Sequence, residues 1–591
     1  MTQTYTSLQQ QHAATLAQLQ TNSNAMVGLR LFTVLVLLGL LYGYHKTDET
    51  LLACLAFAVL GVFLALVRLH QKISWKKQLA AALVQLNADE ISYLNGTAIP
   101  FENGQGFNQT SHAYAYDLDV FGDNSLFQHL NRTATVAGHE KLAALLQSVL
   151  PPENIRVNQE AIQELTPKTN WRQALLALAR VHPDNKKNYE TLKAWAMRES
   201  PLLPSWVSIA AFLLPAMFLI SILLYILTKD QIYANALGYL FVANLFLLFS
   251  QQQRIRQEIA QFDRVHDILK QYGLILQQVE SETFQSKRLK TLQAALNVDG
   301  ISASRQITRL STLFDRMDSI QNIMAVFLFD GALLYHLHTL RTLLHWKKAY
   351  AGHIPQWLDV IGEVEALNSL ANFSANNPGF VYPTLNDHFK IAFADLGHPL
   401  IKAPKRVCND VSFDRQRFIV LTGSNMSGKS TFLRTLGVNM VLAGVGAPVC
   451  ATRAAVHPLP VFVSMRLSDS LSDSESYFFA EVRRLHDIMT QLDQQVSFVL
   501  LDEILRGTNS DDKRFGTIAV LKKMVAKRAI GAIATHDIEV CNTTADFPED
   551  LMNKCFEVDI SGHELSFDYR LRDGVCQNKS ASFLMEKMGI I

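Results

Sequence analysis

Before any motif is considered, the polar and apolar positions already divide the chain. Residues 31–44 and 51–67 are apolar at nearly every position and are separated only by HKTDET; residues 206–227 and 232–249 repeat the arrangement around TKDQ. A helix crossing a hydrocarbon core of about 30 Å needs about 20 such residues. The second pair meets that length, and Trp206 and Tyr233 stand where interfacial aromatics belong. The first run of the first pair is short, and spans only by recruiting residues 26–29 and letting Arg30 snorkel to the interface. For that pair, helices buried in protein remain the alternative reading. A fifth apolar stretch, 325–344, is interrupted by Asp330, His336, His338 and Arg341, and its pattern predicts a buried helix outside the membrane.

Elsewhere the period changes. Residues 1–25 are rich in Gln, Thr and Ala and predict a polar helix or tail. Residues 76–200 and 251–376 place apolar side chains at helical spacing with few Gly or Pro, which predicts packed helices. Pro383, Gly397, Pro399 and Pro404 end that pattern, and from Asn409 onward strand-like runs alternate with helices. The expected organisation is a polar segment (1–25), a first hairpin (26–70), a helical core in two parts (76–204 and 251–382) interrupted by a second hairpin (205–250), and an α/β domain (383–591). The fold class is α plus α/β.

Charge orients this arrangement. Arg68, Lys72, Lys76, Lys77, Arg198, Arg254 and Arg256 flank the long segments, whereas the short connections carry Lys46 and Lys229. The positive side faces the cytoplasm, so the expectation is an integral membrane protein of four spans with its large domains cytoplasmic. A net charge of +1 excludes a globally basic nucleic-acid binder. The 6 cysteines form no CxxC pair, which argues against a zinc site and fits reduced thiols.

The candidate chemistry sits in the α/β domain. In RFIVLTGSNMSGKST an apolar strand stops at a loop of spacing G-x-x-x-x-G-K-S, made by Gly423, Ser424, Asn425, Met426, Ser427, Gly428, Lys429, Ser430 and Thr431. Such a loop wraps backbone N–H groups around a polyphosphate at a helix N-terminus. Lys429 would reach the β- and γ-phosphates, and Ser430 would reach Mg²⁺. A second buried run, VSFVLLDE, ends in Asp502 and Glu503, placed for the Mg²⁺ shell and for polarising water respectively. A third, AIGAIATH, brings His536 to the same sheet edge, within reach of the γ-phosphate. ATP and Mg²⁺ are the expected substrate and cofactor.

These residues also carry a resemblance. TGSNMSGKST, LLDEILRGTNS and ATHDIEV closely resemble the phosphate loop, acidic strand and histidine loop of the MutS family of mismatch-repair ATPases, a branch of the ABC-type ATPases. The Asn425-Met426 pair and Arg506-Gly507-Thr508 are the specific parts. SDSLSDSESYFFAE is similar to the family's signature segment, with Ser476, Phe478 and Glu481 at matching places, although Ser474 and Glu475 replace the small and basic residues usual there. Residues 117–142, 153–165 and 357–371 are similar to the family's helical core, so the resemblance implies a MutS-like core with lever-like helices interrupted by the second hairpin. No counterpart of the mismatch-reading wedge domain is present.

The resemblance implies an ATPase acting as a homodimer through its ATPase domain, with Ser476 completing the partner's site. It also implies DNA binding, for which Lys287, Arg288, Lys290, Arg305 and Arg309 are candidates, although a solvated helix face explains them equally well. The competing class is an ATP-driven membrane tether or remodelling protein with no DNA substrate. An ABC exporter would need more spans and a glycine-rich signature. The adenine site stays open, because APKRV at residues 403–407 offers no ring where the family places one.

Overall fold

The computed structural model describes residues 1–259, 265–298, 300–466, 477–561 and 564–576. Helices α1 (Thr2–Thr47) and α2 (Thr50–Asn95) fold back on each other through Asp48, which turns the chain at φ 57°. No proline interrupts either helix. The expected polar segment and first apolar run are therefore one helix, and α2 runs unbroken past the expected end of the hairpin. Arg30 Nη1 meets His70 Nδ1 at 2.9 Å across the pair.

Both ends of this hairpin are anchored in the helical core. The Tyr5 hydroxyl is buried against Asn372 (3.3 Å) and Asn376 (3.0 Å). Leu86 of α2 packs on Leu176 and Ala177. Asn87 exchanges hydrogen bonds with Gln173, and Arg180 pairs with Asp89 at 2.6 Å. Deeper still, Arg132 pairs with Glu90, whose carboxylate also accepts from Asn372 and Asn376.

Helices α3 (Ser205–Thr228) and α4 (Gln231–Ser250) form the second hairpin. Among the described residues, α1 to α4 are the four single helices long and apolar enough to cross a membrane. Their apolar side chains are largely exposed, from Leu31 and Phe32 in α1 to Phe57 in α2, Ile226 in α3 and Phe246 in α4.

Residues 325–344 depart from the expected buried helix. After helix α5 (Ala303–Asp318), the segment Ile323–Leu333 passes through a π-helical turn and meets helix α6 (Tyr335–Tyr350) at an 83° bend. Leu334 makes the bend at φ 51°, a conformation that costs an L-residue about 1–2 kcal/mol. A buried pair holds it: the His336 N–H donates to Asp330 Oδ1 at 2.8 Å and the two side chains pair directly. Six residues apart, they would be about 120° apart around a straight helix and about 9 Å apart along it. Breaking the helix buries both polar side chains together, and leaves most of the apolar side chains of residues 323–329 outside.

Helix α7 (Ile354–Asn376) runs through the middle of the core and leads into the α/β part. Its main sheet has the order β6-β5-β1-β4-β3-β2, with β1 Phe418–Gly423, β2 Val461–Ser464, β3 Phe498–Asp502, β4 Ile530–Ala534, β5 Leu551–Phe556 and β6 Leu571–Asp573. All pairings are parallel except β5 with β6. A smaller four-stranded sheet packs beside it, joined through the edge-on contact of Phe413 with Phe498 at 5.7 Å.

One continuous buried cluster runs from Tyr114 to Phe556 and joins the two parts. Leu118 seats against Gly437, where a Cβ would come within 2.6 Å of its methyl. Asp117 accepts the N–H groups of Met465 and Arg466 at 2.8 Å each. The helical core and the α/β part thus share an interior, so displacement of one is felt by the other.

Candidate functional site

Parallel register brings the three motif strands to one edge. Ala534 of β4 lies level with both Leu421 of β1 and Asp502 of β3, so the residues that follow each strand emerge together. β4 approaches β3 closely because Gly531, at φ 150°, has no Cβ; one would stand 1.8 Å from the Val499 carbonyl.

After β1 the chain forms the loop 424–428 and enters helix α8 (Lys429–Val445). Gly428 starts that helix at φ 102° with no side-chain cap, which leaves its first N–H groups directed at whatever fills the loop. Ser424 through Thr431, with Glu503, line a cavity of about 390 Å³. Gly423 contributes from behind, its carbonyl accepting from Lys429 Nζ at 2.8 Å. Lys429 is buried, also donates to the Ser424 carbonyl (3.0 Å), and lies 3.2 Å from His536 Nε2. Burial lowers its pKa against the pull of Glu503 and Asp502. The buried Ser424 and Ser427 hydroxyls have no hydrogen-bond partner. Together these features fit a polyphosphate: a lysine held by loop carbonyls, orphaned hydroxyls and an uncapped helix start.

The Ser430 hydroxyl donates to Asp502 Oδ2 at 2.6 Å. Two adjacent oxygens beside a phosphate loop suit Mg²⁺, which keeps most of its waters and takes one or two protein ligands. Glu503 sits at φ 47° on the next position, with Oε1 2.6 Å from His536 Nε2 and Oε2 3.5 Å from Arg506 Nε. The hydrogen bond from His536, then the charges of His536, Arg506 and Lys429, hold its carboxyl down at about 2, so it is an anion.

Of the expected signature residues, Ser476 lies outside the described residues. Helix α9 (Tyr477–Leu492) starts just after it. Glu481 accepts the Leu505 and Arg506 N–H groups at 2.8 and 3.3 Å, and Phe478 packs where a side chain on Gly507 would stand, 2.9 Å away. That contact explains the glycine of the Arg-Gly-Thr triplet. It also ties the signature helix to the loop carrying Glu503.

The base end of the cavity holds residues that the sequence pattern missed. His398, Ile401, Lys405, Val407, Asn409, Phe556 and Tyr569 are among its further lining residues. The expectation for 403–407 holds, since no ring comes from there. A ring arrives instead from Tyr569, whose Cδ1 would be 3.1 Å from a Cβ on Gly428 and whose carbonyl accepts from Asn409 Nδ2 at 3.1 Å. Phe567 stacks on Tyr569 at 6.0 Å and 17°. Burial pushes His398 down to about 4, so it faces the cavity neutral. No local spacing marks Tyr569, because it reaches the loop only through the pairing of β6 with β5.

A parallel sheet feeding such a loop into a helix, with an acidic strand beside it, defines a P-loop nucleotide-binding domain. Residues 419–588 match the family model for MutS domain V. The chain is 32% identical over 219 residues to the DNA mismatch repair protein MutS of Thermotoga neapolitana, covering 36% of this chain and 27% of the relative. It is 30% identical over 244 residues to MutS of Methanosarcina barkeri (40% and 27%), and 31% identical over 226 residues to the mismatch repair protein msh3 of Aspergillus oryzae (36% and 20%). The likeness to MutS proteins lies in this domain. The chain spans less than a third of the length of these relatives.

Proposed function

We propose that the protein is a membrane-anchored, ABC-type ATPase of the MutS family, which binds and hydrolyses MgATP to move its helical core and membrane hairpins. The observation carrying this reading is the convergence of Lys429, the Ser430–Asp502 pair and the ionised Glu503 with His536 on one phosphate-sized cavity. Loop N–H groups, Ser424, Ser427 and Lys429 hold the phosphates, and Tyr569 stacks on the base. Mg²⁺ at Ser430 and Asp502 supplies neutralisation of phosphate charge. Glu503, kept anionic by His536, orients and polarises the attacking water, and His536, whose Nε2 donates to Glu503 and lies 3.2 Å from Lys429 Nζ, reports the γ-phosphate to the acidic loop.

The site is completed by a second copy of the chain. Met426, which lines the cavity, and Phe515 are each 77% exposed and Ile538 is 56% exposed, exposed apolar side chains of the ATPase domain that suit a homodimer through it. Closure is passed to the hairpins by the shared interior and by α2, whose last carbonyl, at Asn95, accepts from Lys402 Nζ at 3.3 Å. The exposed apolar faces of α1 to α4 and the basic flanks of the long segments are the support for reading the protein as membrane-spanning with its ATPase in the cytoplasm.

A second reading, DNA binding, rests on the names of the relatives and on exposed Lys287, Lys290, Arg305 and Arg309; Arg288 is engaged by Glu363. The alternative is a tether or remodelling protein with no DNA substrate. ATP hydrolysis by the detergent-solubilised protein, with and without duplex, mismatched and branched DNA at low and high salt, separates them. Stimulation that disappears as salt rises supports DNA binding. Hydrolysis indifferent to every DNA removes it and leaves the membrane motor, and absence of any hydrolysis overturns the ATPase reading.

A further inference from the structure

The broken segment Ile323–Leu333 presents an apolar surface that no part of the described protein covers. Ile323 is 70% exposed, Met324 77%, Leu328 69%, Phe327 49% and Phe329 45%. An aqueous surface gains nothing from five adjacent apolar side chains, and a patch of this kind marks a contact.

Its position names the contact. The segment is seated on the second hairpin: Phe327 stacks on Phe241 of α4 at 6.2 Å and 16°, and Asn244 Nδ2 donates to the Gly331 carbonyl at 2.8 Å. Gly331 is needed there, since a Cβ would lie 2.1 Å from the Phe241 ring. Phe241 is nine residues from the end of α4 at Ser250, or about 14 Å at 1.5 Å per residue. Nearer the base of the hairpin, Arg341 of α6 lies over Phe212 of α3 at 5.1 Å and His338 meets the same ring at 4.7 Å. The order along the hairpin is polar α6 at the base and bare apolar segment further in. The apolar surface of the segment is continuous with that of α3 and α4.

We infer that Ile323–Leu333 is a re-entrant element, inserted from the cytoplasmic side into the same leaflet that the second hairpin crosses, with lipid acyl chains as its contact. The inference rests on the reading of α3 and α4 as membrane-spanning. The buried Asp330–His336 pair suits such an insertion: the two side chains bond each other inside the turn, and the Ser319 hydroxyl meets the remaining ring nitrogen at 2.8 Å, so these polar groups are satisfied within the protein. Because α5 enters the segment and α6 with α7 leaves it toward the core, a movement of these helices is delivered to one leaflet.

The test is quenching of an environment-sensitive nitrobenzoxadiazole label in the full-length protein, reconstituted in phosphatidylcholine vesicles. With exposed Cys54 and Cys408 replaced (C54S, C408S), the label is placed at Leu328→Cys or, on the hairpin, at Phe246→Cys, both exposed positions whose replacement leaves packing intact. The expected result is stronger quenching by spin-labelled lipid than by aqueous iodide at both positions. Lipid quenching at 246 with iodide quenching at 328 overturns the re-entrant element while the hairpin stands. Iodide quenching at both positions overturns the hairpin reading, and the re-entrant element with it.

Discussion

Replacing Tyr569 with alanine removes the ring that lies nearest the phosphate loop at Gly428. Its carbonyl contact with Asn409 is main-chain and survives the change, and the side chain is 43% exposed, so stability should move by no more than about 0.5 kcal/mol. What is lost is stacking on the base, worth about 1–3 kcal/mol per base against an aromatic ring. At 1.4 kcal/mol per factor of ten, the Kd for ATP should rise about 5- to 150-fold. Turnover at saturating ATP should hold, because Lys429, Ser430, Asp502 and Glu503 are untouched. Titration with a fluorescent ATP analogue, alongside a thermal melt, reads both quantities, and Tyr569→Phe should restore affinity. An unchanged Kd in Tyr569→Ala with an unaltered melt would refute the placement of the base. A loss of turnover with unaltered affinity would refute the division between base and phosphate ends.

Two further outcomes follow from buried charge. Glu90→Leu leaves Arg132 buried without its partner and should cost about 3–5 kcal/mol, read as a lower urea midpoint and as proteolysis near the junction of α2 with the core; an unchanged midpoint would show that the pair does not hold α2. Glu503 has a folded pKa of about 2, below its ordinary 4.5, so its contribution to stability is fully present above 4.5 and is lost as pH falls through 2. The difference in urea midpoint between wild type and Glu503→Gln should therefore shrink as pH falls from 4.5 through 2; a difference unchanged over that range contradicts the lowered carboxyl.

What could be read from the sequence was local. The phosphate loop, the acidic pair and His536 each follow a continuous buried strand, and parallel pairing obliges such strands to end at one edge, so Lys429, Asp502, Glu503 and His536 were legible without knowing their distances. The four apolar helices were legible because composition alone marks them. Tyr569 was not, because it reaches Gly428 through a late antiparallel pairing that no spacing announces. Residues 325–334 were misread for a related reason, whereas 335–344 form the expected helix with a buried face. Asp330 and His336 looked like marks of a buried helix, whereas the two satisfy each other across a bend and turn the apolar side chains outward. The two-part core with a separate ATPase domain was also too coarse, since Leu118 and Asp117 are built into the ATPase interior.

The central claim is that this cavity binds and hydrolyses MgATP, and Glu503→Gln tests it most directly. In full-length protein reconstituted in vesicles, wild type should hydrolyse ATP in a Mg²⁺-dependent way. Glu503→Gln should bind ATP with wild-type affinity and lose turnover by about 100-fold or more, the scale of a misplaced nucleophile, whereas Lys429→Ala should lose binding as well. Equal hydrolysis rates in wild type and Glu503→Gln would contradict the account.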